Sequence, residues 1–119
     1  MKAPFASFAT GFLRITDMEV RDFFALRKEG RVEEAYDLIR EKYKTYHGHY
    51  TTLCMFWCAS DVLQLRVEEG RLGEARQILA ALERMLPHMR DEAVIGSQMN
   101  KLRNIIAEAE TESKDNLCN

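Results

Sequence analysis

The side chains with the most reactive chemistry lie close together near the middle of the chain: His47, His49, Cys54 and Cys58. Two thiols four positions apart fall one turn apart on a helix, and two imidazoles in the preceding turn would complete a four-ligand tetrahedral set of the kind zinc takes. The spacing matches none of the familiar finger patterns, and a cysteine on an apolar helix face most often packs as a small hydrophobe. A zinc-binding protein or small metal-dependent enzyme built on these four residues is therefore one reading, and two core thiols beside a histidine-bearing turn is the other. For other chemistry the residue types are absent: no Gly-rich phosphate loop, nucleophile elbow or His-Glu-x-x-His pattern occurs. The expectation is a chain that is not an enzyme and has no catalytic residues, no metal and no cofactor. Glu33, Glu34, Glu68 and Glu69 stand between apolar runs, where carboxylates read as solvated charge.

Composition narrows the partners. With 119 residues, 46% of them hydrophobic and 30% charged, the chain has the length and apolar content of one folded domain. A formal charge of −2 without any basic stripe argues against nucleic acid, whose binding depends on clustered Lys and Arg. Three cysteines cannot all pair within one chain, which points to a reducing cytoplasm. The longest apolar run, Leu53 to Ala59, falls far short of the roughly 20 residues that span a bilayer, so no membrane partner is expected. Ser7, Thr10, Gly11 and Arg14 interrupt any signal-peptide core near the N-terminus.

What positions these residues is a repeat. Glu29-Gly30-Arg31-Val32-Glu33-Glu34-Ala35 returns as Glu69-Gly70-Arg71-Leu72-Gly73-Glu74-Ala75, and Leu38-Ile39 returns as Ile78-Leu79, at a period of 70 − 30 = 40 residues. A repeat of about 20 to 50 residues marks units that cannot bury an apolar face alone and so stack. Each copy reads as the corner of a helical hairpin. A helix ending at Gly30 or Gly70 turns left-handed there at little steric cost and satisfies its last carbonyls. Ala35 and Ala75 then let two helix backbones approach closely, and Ile39 and Leu79 fill the space one turn along.

Taken in order, residues 1–15 form an apolar arm in which Phe5, Phe8, Phe12 and Ile15 share one face of a short helix after Pro4. The arm either caps the first hairpin or packs on a second copy as a homodimer. Thr16 or Asp17 caps a first helix that runs to about Glu29 and carries Met18, Phe23, Phe24 and Leu26. A second, from Val32 to about Tyr46, buries Val32, Ala35, Leu38, Ile39 and Tyr43. Tyr46 to Tyr50 forms a linker. Thr51 or Thr52 caps a third helix carrying Phe56, Trp57, Leu63 and Val67 to Glu69. The fourth, from Leu72 to Leu86, presents Leu72, Ala75, Ile78, Leu79, Leu82 and Met85 before Pro87 ends it. A fifth begins at Asp91 with Val94, Ile95, Met99, Leu102, Ile106 and Ala109 at helical spacing. The domains are thus the arm, a helical domain over 16–110 with hairpins at about 17–46 and 51–87 and a capping helix at about 91–110, and a polar tail over 111–119 expected to fray.

An Ala, a large apolar residue four positions on and a Pro twelve positions on, behind a Gly that ends the previous helix, resembles the second half of a tetratricopeptide repeat. Ala75, Leu79 and Pro87 match all three positions; Ala35 and Ile39 match two, with His47 where the Pro would stand. The resemblance covers roughly residues 18 to 110 and implies an all-α fold of antiparallel hairpins in a short right-handed superhelix, closed by the C-terminal capping helix. It also implies a non-enzymatic protein-interaction module, a scaffold or adaptor binding a peptide or helix in a concave groove lined by the first helix of each pair. Carried over by register, the groove residues are Arg21, Phe24, Trp57, Asp61, Gln64, Gln98 and Lys101. Asp61 in the middle would repel a carboxylate terminus, so an amphipathic helix or extended segment anchored on Phe24 and Trp57 is the expected ligand. A structural homodimer that fills its own groove is the further alternative.

Overall fold

The apolar periodicity resolves into five α-helices over residues 20–90 and 93–118, which the computed structural model describes: α1 (Val20–Lys28), α2 (Val32–Thr45), α3 (His49–Glu68), α4 (Leu72–Met85) and α5 (Ala93–Cys118), with a 3-10 turn at Leu86–His88. No strand occurs among the described residues, and the fold class is all-α. The arm over 1–15, the expected caps at Thr16 and Asp17, Met18 and the helix start at Asp91 lie outside the described residues. The chain forms two compact units, Met1–Cys58 and Ala59–Asn119, and α3 contributes its first half to one and its second half to the other.

The two copies of the repeated segment build the same corner with the same pattern of backbone bonds. Gly30 and Gly70 have φ of 83° and 78°. At the first corner the amide of Gly30 donates to Arg27 O at 3.0 Å and that of Arg31 to Leu26 O at 3.0 Å. At the second, Gly70 donates to Val67 O at 3.0 Å and Arg71 to Arg66 O at 2.8 Å. This pair of bonds is the Schellman closure, in which a left-handed residue folds the chain back over the open carbonyls of the helix it ends. The next helix follows at once. Arg31 (φ −88°, ψ 57°) and Arg71 (φ −93°, ψ 64°) occupy the cap position of α2 and α4, and their carbonyls accept from Ala35 at 3.0 Å and Ala75 at 3.1 Å. Both alanines are 0% exposed, as a close helix contact requires.

In the first unit α1 packs on α2, and Phe23, Ala35 and Ile39 close around Cys54 and Cys58 from α3. Phe24, Leu26, Tyr36, Leu38 and Met55 pack against that core at its margin. In the second unit α4 packs on α5. Its buried hydrophobic residues are Ala59, Val62 and Leu63 of α3, Ala75, Leu82 and Met85 of α4, and Ile95, Met99, Leu102 and Ile106 of α5. The last four follow the three-and-four spacing read from the sequence.

Several boundaries move. The linker after α2 is shorter than expected, because His49 and Tyr50 already belong to α3. Gly48 O accepts the Thr52 amide at 2.9 Å, so the helix opens at Gly48; Thr51 and Thr52 are buried in its first turn and are not caps. Pro87 lies inside the 3-10 turn that follows α4, which ends at Met85. Val94, expected on the apolar face of α5, is 61% exposed, since a residue beside Ile95 on a helix points about 100° away from it. The segment from Thr111, expected to fray, continues α5 to Cys118.

Two substitutions within one corner should act in opposite directions. No heavy atom stands within 4 Å of a Cβ built on Gly70 or on Gly73, so backbone conformation alone decides. Gly70→Ala should cost about 1 to 2 kcal/mol for a left-handed alanine, whereas Gly73→Ala, inside α4, should stabilise by about 0.4 to 1 kcal/mol. Ala75→Leu should cost about 1 to 3 kcal/mol by overpacking. Urea unfolding measures all three, and a Gly70→Ala protein as stable as wild type would refute the corner.

Candidate functional site

The residues expected to line a groove fall into two sets, one in each unit, and each set has its own surroundings. In the first unit Arg21 is exposed and Phe24 and Trp57 are half-buried. The structure joins the two aromatics through a residue that sequence reasoning missed. The Arg27 guanidinium lies over both rings, 5.8 Å from the Phe24 centroid and 5.5 Å from that of Trp57, within cation–π range of each. Trp57 also meets the buried Phe56 edge to face at 5.2 Å. One side of the indole is therefore held by the protein and part of it remains in water. These contacts restrict the rotamer of the ring while leaving it half-buried. The available signal for Arg27 was its place three residues after Phe24, on the same helical face.

In the second unit the expected residues form a polar cluster around Ser60, whose side chain is fully buried. Gln98 Nε2 of α5 donates to Ser60 Oγ at 2.6 Å, and Gln64 Nε2 donates to Ser60 O at 3.5 Å. Both amides, half-buried, are thus engaged by the protein itself: Gln98 ties α5 to α3, and Gln64 bonds back within α3. Asp61 is half-buried and Lys101 is exposed.

The four potential zinc ligands separate by environment. Cys54 and Cys58 are core residues with Sγ atoms 3.9 Å apart. His47 is exposed and packs edge to face on Tyr43 at 4.6 Å, and His49 packs on Tyr50 at 5.1 Å. No group of three or more His, Cys, Asp and Glu side chains that could hold a metal ion occurs among the described residues. The hydrogen bond with Cys58, and then burial, hold the Cys54 thiol far above its ordinary range against the pull of Arg27 and Lys42. It is a neutral thiol at physiological pH.

Two of the carboxylates read as solvated charge, Glu34 and Glu69, pair with arginines while staying exposed. Arg71 donates from Nε to Glu74 Oε2 at 2.7 Å and from Nη2 to Oε1 at 2.6 Å, while its Nη1 reaches Glu69 at 3.1 Å. Arg31 repeats the bracket on Glu34 and Glu29. In the second copy Arg66, only 12% exposed, adds contacts to Glu69 at 3.2 Å and Glu74 at 3.4 Å. The bond from Arg71, with lesser help from Arg66, holds the Glu74 carboxyl below its ordinary value against the effect of desolvation, and the Arg71 guanidinium rises in turn. Glu34 and Glu74 also stand in the first turn of their helices, where the dipole favours an anion. These pairs bracket the two corners.

Compared with family models, curated proteins and solved structures, the chain matches none.

Because the Glu74 carboxyl is depressed in the folded state, its contribution to stability is complete above the ordinary carboxylate value of 4.5 and disappears as pH falls through the lowered one. Between about pH 5 and about pH 3 the urea midpoint of wild type should therefore fall more steeply than that of Glu74→Gln, which lacks the contribution at every pH. Parallel curves would show that the bracket does not persist in solution.

Proposed function

We propose that this chain is a non-enzymatic protein-interaction module of tetratricopeptide-like type, its hairpins stacked in a right-handed superhelix, that works in the cytoplasm as a scaffold or adaptor. The observation that supports it most is the duplicated corner. Two segments 70 − 30 = 40 residues apart repeat the same left-handed glycine, the same pair of closing bonds, the same arginine at the following cap and the same fully buried alanine. Such duplication is the mark of stacked units, whose biological use is the surface they present. The partner is a protein segment, either an amphipathic helix or an extended strand, that seats an apolar side chain on Phe24 and Trp57. Arg27 supports this reading, since it sets both rings and offers a cation beside them. A formal charge of −2 speaks against nucleic acid. No described helix is long and apolar enough to cross a membrane.

The anchors can be tested directly. Affinity capture with wild type, Trp57→Ala and Asp61→Lys, each checked for unchanged helicity, should yield a partner that Trp57→Ala loses. For an anchor of hot-spot quality the loss is about 2 kcal/mol or more, roughly 30-fold in Kd. Asp61→Lys should shift the partner set through charge. Identical capture by all three proteins would end the anchor assignment.

A further inference from the structure

Cys54 and Cys58 are not absorbed by the interaction reading. They lie at i and i+4 on α3, in the core of the first unit, 0% and 1% exposed, with their sulfur atoms 3.9 Å apart. Phe23, Ala35 and Ile39 surround them, and the charges of Arg27 and Lys42 reach Cys54. Three uses of a dithiol can be compared on this geometry. A disulfide needs Cβ atoms about 3.8 Å apart, whereas residues one helical turn apart hold them about 5 to 6 Å apart, so oxidation would have to unwind the turn. A zinc ion needs four donors, and among the described residues no third His, Cys, Asp or Glu joins the pair.

A soft monovalent ion needs only the two sulfurs. Such an ion prefers its two donors opposite one another, so with metal–sulfur bonds of roughly 2.3 Å, the zinc–thiolate length, the sulfurs should stand about 4.6 Å apart. The thiol pair, at 3.9 Å, falls short of that span by an amount that a small rotation of the two Cys side chains supplies without moving the backbone. Thiolate donors in an apolar shell select Cu(I) among the common ions. Charge favours the same choice, since one monovalent cation on two thiolates leaves a single negative charge, which the nearby Arg27 and Lys42 offset inside a medium of low dielectric.

We propose that Cys54 and Cys58 form a two-coordinate Cu(I) site in the core of the first unit. Binding replaces two S–H bonds by two Cu–S bonds and releases both protons to solvent; no electron is transferred. Carbon–sulfur bonds stay intact, and α3 keeps its helical geometry. The site is separate from the proposed protein-binding face and does not depend on it, although Trp57 adjoins Cys58 in sequence and is the only tryptophan.

The test is an anaerobic titration of the reduced full chain with Cu(I), in competition with a chromogenic Cu(I) chelator. Wild type should withdraw one equivalent, develop a near-ultraviolet thiolate-to-copper band and lose Trp57 fluorescence in step. Cys118→Ser should do the same, whereas Cys58→Ala, which keeps an apolar core, should lose the high-affinity equivalent while retaining its helicity. If the chelator keeps all the copper from wild type, or if Cys118→Ser abolishes uptake, the proposal is overturned. Retention of the equivalent by Cys58→Ala at unchanged helicity would overturn it equally.

Discussion

A chain that must reverse direction between two helices has to satisfy the last carbonyls of one while starting the next, and here a single left-handed residue does both. At Gly30 and Gly70 a positive φ carries two amides back over the open helix end, and the following arginine already supplies the first carbonyl of the next helix. An L side chain at that position would be strained although nothing crowds it, so glycine is required by backbone conformation and not by space. Everything downstream depends on the reversal. Ala35 and Ala75 reach their buried positions because the corner sends α2 and α4 back across only three residues.

Around that backbone device the charges act locally. Neither α2 nor α4 has a side-chain cap, although serine, threonine, asparagine or aspartate usually fills the cap position. Instead the arginine at the cap position engages the glutamate at the third helical residue and the glutamate before the glycine, so its side chain brackets the reversal. Pairs this exposed contribute little stability individually, and their value is directional: they favour one path of the chain out of the corner. In the second copy Arg66 takes the place that Leu26 has in the first, which extends the bracket into a small network and makes that corner the more ionic of the two.

The same economy of partners shapes the aromatic and amide side chains between helices. Arg27 spans two rings that belong to different helices, so the apolar part of Trp57 is ordered without being removed from water. Gln98 and Gln64, by contrast, are committed to Ser60 and serve the second unit's own packing. An amide assigned to a face by register alone can thus either meet solvent or serve as an internal strut, and for Gln98 the buried Ser60 hydroxyl decides, since leaving it unpaired would cost more than losing a surface contact.

Much of the fold was legible in the residues. The repeat of Glu-Gly-Arg with its following Glu-Ala, the three-and-four spacing of Ile95, Met99, Leu102 and Ile106, and the lack of alternation determined an all-α chain with two equivalent corners, because turn chemistry and helical period are local properties. Helix limits were less legible: His49 and Tyr50 join α3, and α5 runs through a polar segment, because a helix is extended or stopped by what its ends touch. Tertiary structure alone decided the roles of single side chains. Arg27 between two rings and Gln98 on Ser60 each depend on distances across helices. A one-dimensional spacing constrains which face a residue occupies, but not which neighbour stands opposite it.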